Sequence, residues 1–163
     1  MASYEYQIGH LNGCTVAILA DGKVLPQQVV TDGIVSLTES YAKVTIGLPF
    51  YSDIELLNID QPLRSGTMQG VKVKIGSVTF RLEQTRGGWL GPDEDHIYEA
   101  FPDAILAKQP DITDLDMYNG DIRMPLGAGY EDGGRVFLRQ VDPLPITVNA
   151  VVPEFLSGGP SGV

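Results

Sequence analysis

Arg135-Val-Phe-Leu-Arg-Gln-Val-Asp-Pro-Leu-Pro-Ile-Thr-Val-Asn-Ala-Val-Val-Pro-Glu154 reads as a strand, a rigid corner and a second strand. Proline fixes φ and donates no backbone hydrogen bond, so Pro143 and Pro145 interrupt the ladder between the two apolar runs. Neither run carries a catalytic side chain. The stretch is a structural ending, and it sets the expectation of an all-β domain.

Upstream, Val71, Val73 and Ile75 alternate with Lys72 and Lys74, and Val78, Phe80 and Leu82 alternate with Thr79, Arg81 and Glu83. The apolar parity switches at Gly76-Ser77. A strand keeps one face buried through such a switch only with an extra residue, so a β-bulge or tight bend is expected there. The first half offers short candidate strands at Thr15–Ala20, Val29–Thr31, Ile34–Leu37, Lys43–Leu48 and Asp53–Leu57. Asp21-Gly22 and Asp32-Gly33 are hairpin signals, because glycine accepts the positive φ those turns need. Pro49 closes the Lys43–Leu48 run. Asp60–Gly70 reads as a polar connection, and Thr85–Pro92 as a glycine-rich loop pinned by Trp89. His96–Phe101 fits a short strand or one helical turn equally, Gly120–Met124 fits a strand, and Leu126–Gly134 is turn-like. Strands at this spacing predict an antiparallel sandwich or barrel with long Gly/Pro-rich acidic loops.

At 163 residues the chain is expected to be a single β domain over 1–163, with 1–9 as an N-terminal strand or linker and 157–163 as a flexible tail. The 19 glycines and 11 prolines favour strands and turns over helices. No run approaches the roughly 18 apolar residues of a membrane span, so no membrane insertion is expected. Met-Ala-Ser-Tyr-Glu-Tyr6 has neither a basic nor an apolar leader region, so no secretory signal is expected. Cys14 is the only cysteine; it excludes an internal disulfide and a Cys-rich zinc site, and it reads as a small buried hydrophobe.

The net charge of −10 is concentrated. From Asp93 to Asp132, 11 acidic residues stand against Lys108 and Arg123, so this window carries −9. Such a field repels phosphates and argues against direct nucleic-acid binding.

Candidate chemistry is sparse. His10 and His96 lie far apart without zinc spacing, and each reads as a loop residue. Gly-x-Ser-x-Gly is absent. Arg86-Gly-Gly88 and Gly127-Ala-Gly129 lack the lysine and following helix of a phosphate loop. Asp111-Ile-Thr-Asp-Leu-Asp-Met-Tyr-Asn-Gly-Asp121 offers oxygen ligands, but with Asp114 and Asp116 as the first two, Tyr118 takes the third ligand position and the glycine falls one residue late for a calcium loop. Asp93, Glu94 and Glu99 offer paired carboxylates without a sign of a cleft. Trp89, Tyr98 and Phe101 make a thin aromatic platform for sugar. The reading is therefore no enzyme, no catalytic, cofactor or metal residues, and no cofactor.

An ordered set of motifs carries a resemblance: His10-Leu-Asn-Gly-Cys-Thr-Val16, Ala20-Asp-Gly22, Thr31-Asp-Gly33, Thr45-Ile-Gly-Leu-Pro49, Thr85-Arg-Gly-Gly88, Gly91-Pro-Asp93, Asn119-Gly-Asp121 and Asp142-Pro-Leu-Pro-Ile-Thr-Val148. In this order and spacing they resemble the C-terminal β domain of tail nozzle or tail tubular proteins of short-tailed bacteriophages. In that family the pattern usually ends a much longer chain. The resemblance implies a virion structural protein, made in the bacterial cytoplasm and placed in the phage tail. Its implied partners are identical subunits in a ring, other phage tail proteins, and genome DNA that passes without specific binding. The expected alternative is a carbohydrate- or receptor-binding β module at the tail tip. If the acidic window faced the lumen of a ring, its charge would keep DNA from sticking.

Overall fold

A computed structural model describes residues 4–58, 62–63, 66–67, 72–100, 117–127, 131–132 and 134–157. The strands are β1 (Tyr4–Gln7), β2 (Thr15–Ala20), β3 (Lys23–Val29), β4 (Ile34–Leu37), β5 (Val44–Gly47), β6 (Ser52–Glu55), β7 (Pro62–Leu63) and β8 (Gly66–Thr67). They continue as β9 (Lys72–Thr85), β10 (Trp89–Gly91), β11 (Tyr98–Glu99), β12 (Tyr118–Pro125), β13 (Glu131–Asp132), β14 (Phe137–Gln140) and β15 (Val148–Ser157). One 3-10 turn, Gly9–Leu11, is the only helical element among the described residues. The chain is all-β with antiparallel sheets.

β9 organises the larger part. Phe80 is paired with both Ile122 and Val151, and Val73 with both Glu131 and Ser157. β12 and β13 therefore share one edge of β9 and β15 takes the other. A second sheet runs β11-β10-β14-β6. The two sheets meet in one core, where Ile75, Val78, Phe80 and Leu82 of β9 join Leu90 of β10 and Leu138 of β14. Each such side chain contributes roughly 1.5–3 kcal/mol by leaving water.

The parity switch in β9 is resolved as expected. Glu154 pairs with Ser77 and the next residue, Phe155, with Ile75, so Gly76 is the extra residue of a bulge. Its carbonyl still accepts from the Leu126 amide at 3.1 Å. The bulge keeps Val73 and Ile75 on the same buried side as Val78, Phe80 and Leu82. A second bulge lies at the other end of β9, where Gln84 takes φ +45° and its amide donates to Asn119.

The first half forms a smaller part with its own core of Val16, Ile18, Val30, Val35 and Leu37. It holds the sheet β3-β2-β5 and the ribbon β1-β4. Asp21 and Gly22 (φ +45° and +77°) turn β2 into β3, and Asp32 and Gly33 (φ +54° and +76°) turn Thr31 back to Ile34, which are the mirror-image turns that match strand twist.

Several expectations need correction. Of Val29–Thr31 only Val29 lies in a strand, as the last residue of the longer β3, whose Pro26 is accommodated at a bulge between the Val16–Gln28 and Ile18–Leu25 pairs. Trp89 opens strand β10 instead of pinning a loop. Asp53–Leu57 is a strand only over Ser52–Glu55. Cys14 is half-buried where full burial was expected. Ser157 belongs to β15, and 158–163 lies outside the described residues, as does 101–116.

Candidate assembly surface

β14 and β15 belong to different sheets, so the corner between them is where the chain crosses the sandwich. Its hydrogen bonds are specific. The Gln140 amide, 5% exposed, donates to the Arg86 carbonyl (3.0 Å) and the Leu144 carbonyl (3.2 Å) and accepts from the Asp142 amide (3.3 Å). The Leu144 amide donates to the Asp142 carbonyl and the Arg86 amide to the Pro145 carbonyl. The buried Thr85 hydroxyl accepts from the Thr147 amide at 2.9 Å. Arg86 then reaches across to the first half, donating through Nη1 to the Gly22 carbonyl at 2.7 Å. Gly87, at φ +68°, passes the Leu144 side chain so closely that a Cβ would lie 3.1 Å from it. The corner thus ties the end of β9 to the first hairpin.

Beside the corner lies a cavity of about 320 Å³, lined chiefly by Leu48, Pro49, Phe50, Pro143, Leu144 and Ile146. It opens onto the most apolar exposed stretch among the described residues. Leu48 is 56% exposed, Phe50 76%, Tyr51 65%, Ile54 44% and Leu57 90%. The stretch surrounds β6, the last strand of its sheet. Arg139 on β14 holds β6 in place: its guanidinium meets Asp53 at 2.7 and 2.8 Å and Glu94 at 3.4 Å. It also lies 5.2 Å from the Tyr51 ring centre and 5.1 Å from that of Phe137. The bond from Arg139 holds the Asp53 carboxyl below its ordinary range, and Asp53 in turn raises the guanidinium. Arg135 pairs with Glu55 at 2.7 Å and donates to Asn58.

The residues that invited a chemical reading are separated or already engaged. His96 Nδ1 lies 2.8 Å from the Asp93 carboxylate, which also accepts from the amides of Asp95 and His96; the His96 contact is what chiefly holds Asp93 below the usual carboxylate range. A carboxylate so held is a poor base. His10 is exposed in the 3-10 turn. Trp89 pairs with Glu99 and Arg139 in the sheet, and Tyr98 donates its hydroxyl to the Pro125 carbonyl while burial pushes its pKa up. Asp121 is paired with Arg81 at 2.9 Å, which lowers its carboxyl. Asp111, Asp114, Asp116 and Phe101 lie outside the described residues. No group of three metal-ligating side chains occurs among the described residues.

A second hollow at the Gly76 bulge, near Pro125 and Phe155, contains Ser77, Arg123 and Glu154. Ser77 donates to Glu154 at 2.8 Å and accepts from Arg123 at 3.2 Å, and Arg123 pairs with Glu154. These bonds, from Ser77 first, hold Glu154 below its ordinary range, so it does not activate the serine.

The apolar surface around β6 was missed in the sequence. Pro49-Phe-Tyr51 followed by an Ile and two Leu residues was the available signal, but alternation says nothing about which strand ends a sheet. Compared with known protein families and with curated proteins, the chain matches none.

Proposed function

We propose that this chain is a structural subunit of a bacteriophage tail, of the nozzle or tail-tube type, which assembles with copies of itself and with other tail proteins around the passage for DNA. The observation that carries the reading is the role of the motif residues in the fold. Asn12 accepts from the Gly33 amide at 2.9 Å, joining the first and third motifs. Gly22 is joined to Arg86, Arg86 to Pro145 and Gly87 to Leu144, so the second, fifth and last motifs meet at one junction. Motif residues that serve as joints suit a rigid part of an assembly. Motif residues of an enzyme would instead converge on a cleft with a base, a nucleophile or a metal.

Electron microscopy of the purified protein tests this. Closed rings of one copy number are expected, alone or on addition of the neighbouring tail proteins. A protein that never exceeds a dimer under either condition refutes the ring. The receptor-binding alternative draws no support from Trp89, whose place in β10 leaves it only partly exposed.

A further inference from the structure

We propose that Asn12-Gly13 is a self-modification site: in the folded chain Asn12 deamidates through a cyclic imide, with water as the co-reactant, while the second Asn-Gly pair, Asn119-Gly120, is protected by the fold. The proposal does not depend on the tail reading, because the reaction uses atoms of one chain.

As sequence the two pairs are alike. In each, the glycine has no side chain to keep its amide nitrogen away from the preceding side-chain carbonyl. The chemistry is attack of that nitrogen on the asparagine Cγ, made effective by proximity. The Gly13 nitrogen loses its proton to solvent base and bonds to Cγ. The Cγ–Nδ2 bond breaks, and Nδ2 takes up a proton and leaves as ammonia. Water then opens the five-membered imide. Opening at Cγ gives aspartate; opening at the main-chain carbonyl carbon gives isoaspartate, whose backbone runs through Cγ. Nothing is oxidised or reduced.

The fold separates the two sites. Both asparagines are exposed, so access of water does not decide between them. In both, Oδ1 accepts a backbone amide at 2.9 Å, from Gly33 for Asn12 and from Gln84 for Asn119. Oδ1 stays on Cγ throughout and carries the negative charge of the tetrahedral intermediate, so this bond favours the reaction at either site. The difference lies in the leaving atom. Nδ2 of Asn119 donates to the Met117 carbonyl at 3.1 Å, whereas the bond from Gly33 holds the atom of Asn12 that stays.

The surroundings differ in the same sense. Asn119 lies at the bulge of β12, between the Tyr118–Thr85 and Gly120–Leu82 pairs. Tyr118 closes over Gly120: its hydroxyl donates to the Asp121 carbonyl at 2.9 Å and would lie 3.5 Å from a Cβ on Gly120. Ring closure there must disturb the bulge, the tyrosine clamp and the Met117 bond together. Asn12 follows the 3-10 turn and precedes β2, and a Cβ on Gly13 would meet nothing within 4 Å. Ring closure at Asn12 gives up one bond, from the Gly13 amide to the Val30 carbonyl at 2.9 Å. Isoaspartate at position 12 would add a carbon to the main chain before Gly13. That displaces both the acceptor of the Gly33 amide and the donor to Val30, so the modification loosens the joint between the first and third motifs.

The test is peptide mapping of the native protein held at mildly alkaline pH, beside a sample in denaturing urea. The tryptic peptide Met1–Lys23 contains Asn12 as its only asparagine, and Gln109–Arg123 contains Asn119 as its only one. Conversion is read as the mass gain of amide-to-acid exchange and as the separate elution of the isoaspartate form. In urea the two peptides should convert at comparable rates. In the fold Asn12 should convert at least about tenfold faster than Asn119, a difference of about 1.4 kcal/mol in barrier. Asn119 keeping pace with Asn12 in the fold, or Asn12 staying intact there while it converts in urea, overturns the proposal. Protein converted to isoaspartate at position 12 should melt below fresh protein, and an equal Tm would refute the loosened joint.

Discussion

Gln140→Met is the sharpest probe of the corner that carries the chain between the sheets. Methionine matches glutamine in length and in freedom of rotation, so packing is nearly preserved and the loss is polar. The native amide makes two hydrogen bonds to carbonyls, at 3.0 and 3.2 Å, and accepts a longer one of 3.3 Å from Asp142. The site is buried, with Gln140 5% exposed and Arg86 7% exposed. Taking about 1 kcal/mol for each of the shorter bonds and less for the third, plus the cost of leaving the Arg86 carbonyl without this donor, the loss is about 2–3 kcal/mol. For a chain of 163 residues that is a fall in Tm of roughly 4–12 °C. Gln140→Glu refines the test. Its carboxylate would face two carbonyl oxygens, so its pKa in the fold is raised above the unfolded value. A raised carboxyl pKa means stability is regained as pH falls, so the deficit of Gln140→Glu against the native protein should shrink between about pH 7 and pH 5. Urea unfolding at both pH values measures each effect. If Gln140→Met matches the native protein within about 0.5 kcal/mol, which is the scatter of ordinary surface substitutions, the corner is held by its prolines alone and the network account is wrong.

Other outcomes follow from the same geometry. Gly91→Ala would drive a Cβ into the His96 carbonyl, so a loss of about 1–3 kcal/mol is expected by thermal melting, and an unchanged Tm would show that the 93–97 turn moves freely. Gly33→Ala combines φ +76° with a Cβ 3.0 Å from the Gly9 Cα; a cost of at least about 1–2 kcal/mol is expected, against no measurable change if the turn relaxes. Asp53, Asp93, Asp121 and Glu154 all have folded pKa values lowered by their partners. Their contribution is complete above the unfolded carboxylate range, roughly pH 4–4.5, and is lost as pH falls through the lower folded values. A Tm that rose from pH 5 to pH 3 would contradict this. Duplex DNA at about 50 mM salt should show no salt-dependent retention by the native protein, and a steep salt slope in a filter assay would overturn the reading of the charge.

The sequence was most informative where a fixed period was at stake. The pleat imposes a period of two, so the switch at Gly76-Ser77 had one local solution, and the bulge is there. Asp21-Gly22 and Asp32-Gly33 were legible because few residue pairs accept two successive positive φ values. Pairing was not legible. Nothing in Phe137–Gln140 or Val148–Ser157 says that they enter different sheets, since both are apolar runs that fit beside many strands. β3 was understated because Pro26 reads as a breaker until its bulge is seen. The joints were hidden for another reason. Arg86 bonds to the backbone carbonyl of Gly22, and a carbonyl has no sequence signature. The exposed surface around β6 was hidden because burial depends on what lies beside a strand, and Ile54 looks no different in sequence from Ile18, which is fully buried.

The acidic balance gains meaning from where the cations are. Among the described arginines, Arg81 is paired with Asp121, Arg123 with Glu154, Arg135 with Glu55, and Arg139 with Asp53 and Glu94. Arg86 is buried and bonded to the Gly22 carbonyl. Each guanidinium is thus spent within the fold, as a cross-strand tie or a joint. Affinity for a nucleic-acid backbone scales with the number of cations that reach phosphates, and five committed arginines add little to that number. The same ties that hold the outer faces of the sheets together therefore remove the groups that would make those faces adhere to DNA. This explains how one composition serves two demands of the proposed role: a scaffold stiffened by ion pairs across its strands, and a surface that repels phosphate.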